Sequence, residues 1–341
     1  MAIKTTIGSL PFKDPGKACS MVLELTPELP AWPQLPKRSF RENMYAQYSE
    51  NFPGMVFNDA EEKLHVSRGK FEQDLAVFFE HYENIGSGEV DYFAISENHA
   101  EGFHVFKSLA AEKKLKAVKC QVTGPMTFGM SVKEENGRSL YYDPTMKQVV
   151  EYNCAAKALW QIAQFRGIVD PGSMVLFFDE PYLAAYGSAF TAISKEDITN
   201  SLDSAGSVVK SVYPDITIGV HCCANTDWSV LCGTGSVDII SFDAYGYFDN
   251  LMLYSDALAK FTGRGGSLAW GIVPTGEDAL EKESAESLGG KLKESLDKLA
   301  DKVPGGDRLR GNMYVTPACG FGSAPEKTAE KAHRILSRIK T

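Results

Sequence analysis

Short β-branched and aromatic runs alternate, along the whole chain, with longer stretches whose apolar residues recur at helical spacing. The first pattern suits strands, where successive side chains face opposite sides, and the second marks one buried helix face. Eight strands are expected, at residues 5–9, 90–97, 117–124, 174–180, 216–223, 237–243, 267–273 and 311–317. Helical periodicity is clearest over residues 148–167, 198–212, 280–299 and 327–339. Repeated strand–helix units of this kind build a parallel sheet. The rhythm breaks after Leu25, where Pro27, Pro30, Pro33 and Pro36 precede an amphipathic stretch at residues 71–84; residues 25–88 read as an insertion after the first strand.

An open doubly wound sheet fits that periodicity as well as a closed one does. The polar residues decide between them. In a barrel the chemistry converges on one mouth, at the C-terminal ends of the strands. Here those ends carry Ser9, Glu97, Asp179 with Glu180, His221 with Cys223, Asp243 and, just past the last strand, Cys319. The expected fold is therefore α/β, a single (β/α)8 TIM barrel spanning residues 1–341.

Composition narrows the function without changing the fold. With 44% hydrophobic residues and 23% charged, the 341-residue chain can bury a large core. A net charge of -9 argues against nucleic-acid or acidic-membrane surfaces as partners. The segment MAIKTTIGSL lacks the apolar core of a signal peptide, and no apolar run reaches membrane-spanning length, so a cytoplasmic location is expected. An odd count of seven cysteines then favours metal or thiol chemistry over a disulfide framework.

Three of the polar strand-end residues form a metal-ligating pattern. In ITIGVHCCAN, His221 and Cys223 are two apart at a strand end, so both side chains point the same way. Cys319 in YVTPACGFG follows the eighth strand, which barrel closure would bring to the same rim. One imidazole and two thiolates are a preferred zinc set that leaves a position open. Asp243 in DIISFDAY either supplies an oxygen ligand or orients a neighbouring one. Cys222 should face the helices, while Cys19, Cys120 and Cys154 sit in apolar contexts where a thiol is a small buried hydrophobe. His99 and His104 lack a spaced cysteine partner and read as surface or helix-start residues.

The motifs TTIGSLP, VTGPMT, FFDEPYL, HCC and TPACG, in this order, resemble the C-terminal catalytic barrel of cobalamin-independent methionine synthase, within the superfamily that includes uroporphyrinogen decarboxylase and corrinoid-dependent methyltransferases. The match spans almost the whole chain. The resemblance implies a zinc ion on His221, Cys223 and Cys319, with Asp243, one methylene shorter than the family's glutamate, in the fourth place. It also implies that Ser9 with Gly8, the catalytic carboxylate Asp179 and Glu97 hold the amino-acid part of homocysteine. Carboxylates attract an ammonium, while a hydroxyl and backbone N–H groups receive a carboxylate.

Two departures bear on the methyl donor. The family's pterin-stacking tryptophan after TGP is replaced by MTFGMSVKEE, and its folate-protonating histidine near the seventh strand is absent from WGIVPTGED. Methyltetrahydrofolate would then be weakly held and poorly activated. A corrinoid, as methylcobalamin or on a corrinoid protein, needs no protonation at nitrogen and is the expected donor. The expected activity is zinc-dependent methionine synthesis from homocysteine, with coenzyme M or another small thiol as alternative acceptor. Rivals are a zinc hydrolase, a structural zinc barrel that binds a corrinoid protein, and a porphyrinogen-type decarboxylase using Lys37, Arg38 and Arg41 to receive substrate carboxylates.

Overall fold

A computed structural model of the chain describes residues 2–187, 192–311 and 313–340. Among the described residues nine strands occur: β1 (Ile3–Lys4), β2 (Met55–Asn58), β3 (Lys63–Val66), β4 (Val118–Thr123), β5 (Met174–Asp179), β6 (Thr217–Cys222), β7 (Ile239–Phe242), β8 (Ser267–Val273) and β9 (Met313–Pro317). Seven of them form one parallel, curled sheet in the order β1-β9-β8-β7-β6-β5-β4, while β2 and β3 pair as an antiparallel hairpin. This is a mixed α/β, TIM-barrel-like architecture.

The alternation of side chains across the sheet separates two cores. Facing the helices, Val118, Cys120, Val122, Leu176, Phe178, Ile218, Val220, Ile240, Phe242, Leu268 and Trp270 join the large apolar cluster. On the concave side a smaller cluster of Leu29, Val175, Phe177, Ile239, Ala269 and Tyr314 fills the N-terminal part of the sheet. Above that floor the concave positions turn polar, with Lys119, Gln121, Thr123, Asp179, His221, Ser241 and Thr316 all buried. A polar interior toward the C-terminal ends of the strands is where such a fold presents its chemistry.

Helices follow their strands as the periodicity predicts, and their starts are set by local caps. Asp143 opens the helix Pro144–Phe165 by accepting from the Thr145 and Met146 amides. Ser194 and Asp197 close a capping box at Lys195–Val212, and Ser284 with Ser287 does the same at Ala285–Lys302. Among the described residues no helix is long and apolar enough to cross a membrane.

Two strand expectations need correction: the first strand is Ile3–Lys4 and not residues 5–9, where only Ser9 makes an isolated bridge, and the second expected strand is replaced by a turn and a helix start. Residues 90–97 form no strand: a short 3-10 turn, Asp91–Phe93, leads into the helix Glu97–Lys113. The backbone there is engaged elsewhere: the Ala94 carbonyl accepts from the buried Lys157 ammonium at 3.0 Å, the Tyr92 carbonyl from Asn51 Nδ2 at 2.8 Å, and the Ile95 carbonyl lies 2.7 Å from His104 Nε2. The edge between β1 and β4 is lined instead by the proline-rich segment at residues 30–35. Its Gln34 bridges Ser9 and its Ala31 bridges Lys119, both in parallel sense. The Gln34 amide donates to the Gly8 carbonyl at 3.0 Å, and the Lys119 amide donates to the Pro30 carbonyl at 2.9 Å. Proline has no N–H to give, so the ladder survives only as isolated bridges and carries no strand periodicity. In the last expected strand, Asn312 lies outside the described residues.

Candidate metal centre

The register β5–β6 sets Asp179 beside His221, and β6–β7 sets His221 beside Ser241. Ser241 Oγ and His221 Nδ1 are 2.9 Å apart. With Nδ1 so engaged, Nε2 is the nitrogen left for a ligand, and it is buried without a hydrogen-bond partner. Such an orphaned ring nitrogen is costly unless something pairs with it.

What lies nearby are the two sulfurs. One ligand atom each from His221, Cys223 and Cys319 all fall within 4.8 Å of one another. Cys223 follows β6 directly, and Cys319 arrives through the turn after β9, pinned where the Ala318 amide donates to the Val273 carbonyl at 2.8 Å. Both thiols are half-buried, so the group remains reachable from solvent. The neighbouring Cys319 and His221 side chains hold the Cys223 thiol well below its ordinary range, and the same Cys223 pushes Cys319 up. The two thiols titrate as a pair. A soft N,S,S donor set with one sulfur already inclined to thiolate fits a zinc ion.

Asp243 lies outside that triad. Its Oδ1 accepts from the Gly246 amide at 2.7 Å and caps the helix Ala244–Leu251. Burial raises its carboxyl above the usual range, and the fields of Cys223 and His221 reach it. The cap engages Oδ1.

Ser9 is brought to the cluster. Its carbonyl accepts from the Phe321 amide at 2.8 Å, and a Cβ on Gly320 would sit 2.0 Å from Ser9 Oγ, so the glycine after Cys319 is what lets the two loops meet. Gly8 has φ +145°, open only to glycine, and a Cβ there would lie 2.7 Å from Gln34 Oε1. Asp179 is 9% exposed and its Oδ1 has no hydrogen-bond partner. Burial raises the Asp179 carboxyl, while Lys119 and then His221 pull it down.

Glu97 is not brought to this site. It is exposed in the first turn of its helix and lines an outer surface groove with Glu101, His104 and Lys107. The place expected for it, at the end of the segment between β1 and β4, belongs to Gln34, which is buried against Gly8 and donates to Gln47 Oε1 and Tyr48 Oη at 2.8 and 3.1 Å. The alternation of apolar and polar residues gave no sign of Gln34, because prolines flank it; only its position in PAWPQLP, between two prolines that exclude a helix, could have pointed there. His99 is buried, not on the surface, with Nδ1 3.2 Å from Glu50.

Glu180 supports the site without joining it. Wholly buried, it accepts from the Met126 amide at 2.9 Å and from the Thr127 amide and hydroxyl at 2.7 and 2.6 Å. Burial pushes its carboxyl up to about 7 against the pull of those three bonds. The DEP and TGP motifs are thus one physical unit, because a Cβ on Gly124 would lie 2.2 Å from Glu180 Oε1.

No protein-family model matches the chain, and no curated protein matches it. Among solved structures, a candidate vitamin-B12 independent methionine synthase from Listeria monocytogenes superposes with a TM-score of 0.54 over 95% of this chain and 84% of that one, at 14% identity. The likeness is one of fold. At that identity it carries no residue roles, and the chemistry must be argued from this chain's own side chains.

Proposed function

We propose that this protein is a zinc-dependent thiol S-methyltransferase of the methionine synthase-like superfamily, transferring a methyl group from a corrinoid to homocysteine. The observation that carries the reading is the buried, partnerless Nε2 of His221 grouped with the sulfurs of Cys223 and Cys319 within 4.8 Å. We read residues 30–35 as the eighth stave, closing the sheet so that these loops share one mouth, with the β2–β3 hairpin as part of the insertion.

His221, Cys223 and Cys319 would hold the ion, and Asp243 would stay a helix cap. When bound, zinc supplies Lewis acidity that favours the thiolate form of an acceptor thiol at neutral pH. The chain's other residues orient that acceptor. Asp179 offers an unpaired carboxylate oxygen to an ammonium, while Ser9, tied to the Cys319 loop, offers a hydroxyl. Fixing the sulfur on the axis of the donor methyl is the part of the rate gain that positioning provides.

The decarboxylase alternative loses its cations. Lys37 donates to the Ala324 carbonyl, Arg38 pairs with Glu42 and Glu101, and Arg41 pairs with Asp59. A zinc hydrolase is disfavoured because two thiolates donate enough charge to make the metal a poor acid toward water.

The test is methyl transfer by zinc-loaded protein from methylcobalamin to homocysteine, run beside coenzyme M as acceptor and methyltetrahydrofolate as donor. Zinc at one per chain with methionine formed from methylcobalamin supports the reading. Protein that binds no zinc, or that turns over methyltetrahydrofolate and not methylcobalamin, refutes it.

A further inference from the structure

The side-chain amide of Gln34 is held in one sense only. Its oxygen and nitrogen are told apart by what their neighbours must do. Gln47 Nε2 donates to the His99 carbonyl at 2.8 Å, which leaves Gln47 Oε1 as an acceptor. The Tyr48 hydroxyl gives its one proton to the Gln121 carbonyl at 2.7 Å, so its oxygen can only accept from elsewhere. Gln34 Nε2 reaches both acceptors, at 2.8 and 3.1 Å, and gives each one N–H. Its donors are thereby used up. Among the described residues nothing donates to Gln34 Oε1, and that oxygen, unlike Asp179 Oδ1, is not sealed from solvent.

This free oxygen lies beside the Gly8–Ser9 turn. Gln34 bridges Ser9 in parallel sense, its amide donating to the Gly8 carbonyl at 3.0 Å and its carbonyl accepting from the Leu10 amide at 2.8 Å. The Cβ that Gly8 lacks would lie 2.7 Å from Gln34 Oε1 and 3.0 Å from Gln121 Nε2, so two amide heads flank the same point. That point belongs to the interior, because Gln121 stands on the concave face of β4 between Lys119 and Thr123. Gln121 is itself fixed: Nε2 donates to the Trp32 carbonyl at 2.8 Å, while Lys119 Nζ donates to Gln121 Oε1 at 3.4 Å and to the Ile7 carbonyl at 2.6 Å. From Gly8 the metal ligands are one step away. Ser9 follows it, and a Cβ on Gly320, the residue after Cys319, would sit 2.0 Å from Ser9 Oγ.

An amide oxygen that accepts and has no proton to give selects a partner with N–H groups. We propose that Gln34 is an acceptor-binding residue: its Oε1 receives an N–H of the acceptor's ammonium, so the site prefers an amino thiol to a thiol without nitrogen. The inference rests on the thiol-methyltransferase reading and adds to it an uncharged determinant of acceptor specificity.

A glutamine that only braced the turn would affect every thiol alike, whereas one that bonds the ammonium acts on amino thiols alone. The experiment is calorimetric titration of zinc-loaded wild-type and Gln34→Met protein with homocysteine and with its desamino analogue, which keeps the thiol and the carboxylate. Methionine keeps the length of the glutamine stem without its amide. The variant is expected to retain one zinc per chain and to weaken homocysteine binding by about tenfold or more, as for one hydrogen bond to a charged group, with the desamino analogue changed less than about threefold. Equal losses for both thiols, no loss for either, or a wild type that binds the two thiols equally overturns the proposal. If Gln34→Met fails to hold zinc, Gln47→Met takes its place, since it leaves Gln34 present but removes what orients it. Homocysteine alone should then weaken by about threefold or more. No such selective loss, or loss of metal here as well, overturns the proposal. A wild-type protein that binds neither thiol sinks the functional reading itself; wild-type binding of homocysteine with no selective loss in the variant sinks this inference alone.

Discussion

Replacing Gly124 with alanine should be among the most damaging single-methyl additions the protein can suffer. The new Cβ would sit 2.2 Å from Glu180 Oε1, 2.3 Å from its Cδ and 2.5 Å from its Cγ, so the whole carboxylate head stands in the way. To regain van der Waals distance the carboxylate must retreat by about 1 Å. It is wholly buried and held by bonds of 2.9, 2.7 and 2.6 Å, and it cannot retreat without breaking most of them. Hydrogen bonds to a charged group contribute about 1.5–3 kcal/mol each. Losing two therefore costs about 3–6 kcal/mol. The assay is equilibrium urea unfolding followed by tryptophan fluorescence, with Glu180→Ala and the double variant measured alongside. Because Glu180→Ala empties the space the new methyl needs, the two changes should be strongly non-additive, with a coupling of about 2 kcal/mol or more. A Gly124→Ala cost under about 1 kcal/mol, or additivity within about 0.5 kcal/mol, would show that the two motifs are not interlocked.

Three further outcomes are expected. Cys319→Ser should reduce bound zinc from one per chain to near zero by elemental analysis while the far-ultraviolet circular dichroism is kept; full zinc occupancy would remove Cys319 from the ligand set. Ser241→Ala frees His221 Nδ1, and competition with a chelator should show zinc affinity lower by about 10–100-fold. His333 is wholly buried with Nδ1 2.6 Å from the Ala329 carbonyl, and burial lowers it from 6.5 to about 4. A histidine depressed on folding leaves stability intact above pH 6.5 and removes it as pH falls through 4, by about 3 kcal/mol. His333→Leu should flatten urea stability across that window, and an unchanged acid slope would contradict the assignment.

How much of this could be read from the chain depends on whether a feature is local. Strands β4 to β9 follow from β-branched runs at their places in the sequence, and the pairing of His221 with Cys223 follows from a two-residue spacing at a strand end. The helix Pro144–Phe165 is expected from periodicity only from residue 148; its start is marked by the capping carboxylate and proline of YYDPT, which periodicity does not register. The edge at residues 30–35 was not legible, because prolines erase the signal that identifies a strand while leaving the chain free to lie along one. Glu97 was misplaced for the converse reason. Val90, Phe93 and Ile95 are buried as strand residues would be, yet the Ala94 carbonyl between them is taken by Lys157, some sixty positions away. Gln34 and Lys119 escaped notice because neither residue type announces itself: their significance lies in what the fold sets opposite them.

The same reasoning explains why the polar groups collect where they do. A concave sheet face gives each strand only alternate positions, and near its N-terminal end those are filled by Val175, Phe177, Ile239, Ala269 and Tyr314, packed with Leu29 from the preceding loop. Two steps further along β5 and β6 the alternation brings in Asp179 and His221. Each is nine-tenths or more buried, and each keeps one atom without a partner. The apolar floor makes those atoms expensive to leave unpaired, and the half-buried sulfurs of Cys223 and Cys319 give a ligand a way in. If floor and mouth are coupled in this way, deepening the floor should loosen the site above it. Phe177→Ala would remove the ring beneath Lys119 and open space against Gly219, whose absent Cβ would otherwise lie 2.5 Å from that ring. Besides the loss of about 3–5 kcal/mol expected of a buried phenylalanine, the variant should bind homocysteine more weakly while retaining zinc. Unchanged thiol affinity in a destabilised, zinc-replete Phe177→Ala protein would show that the floor only stabilises the fold and takes no part in shaping the mouth.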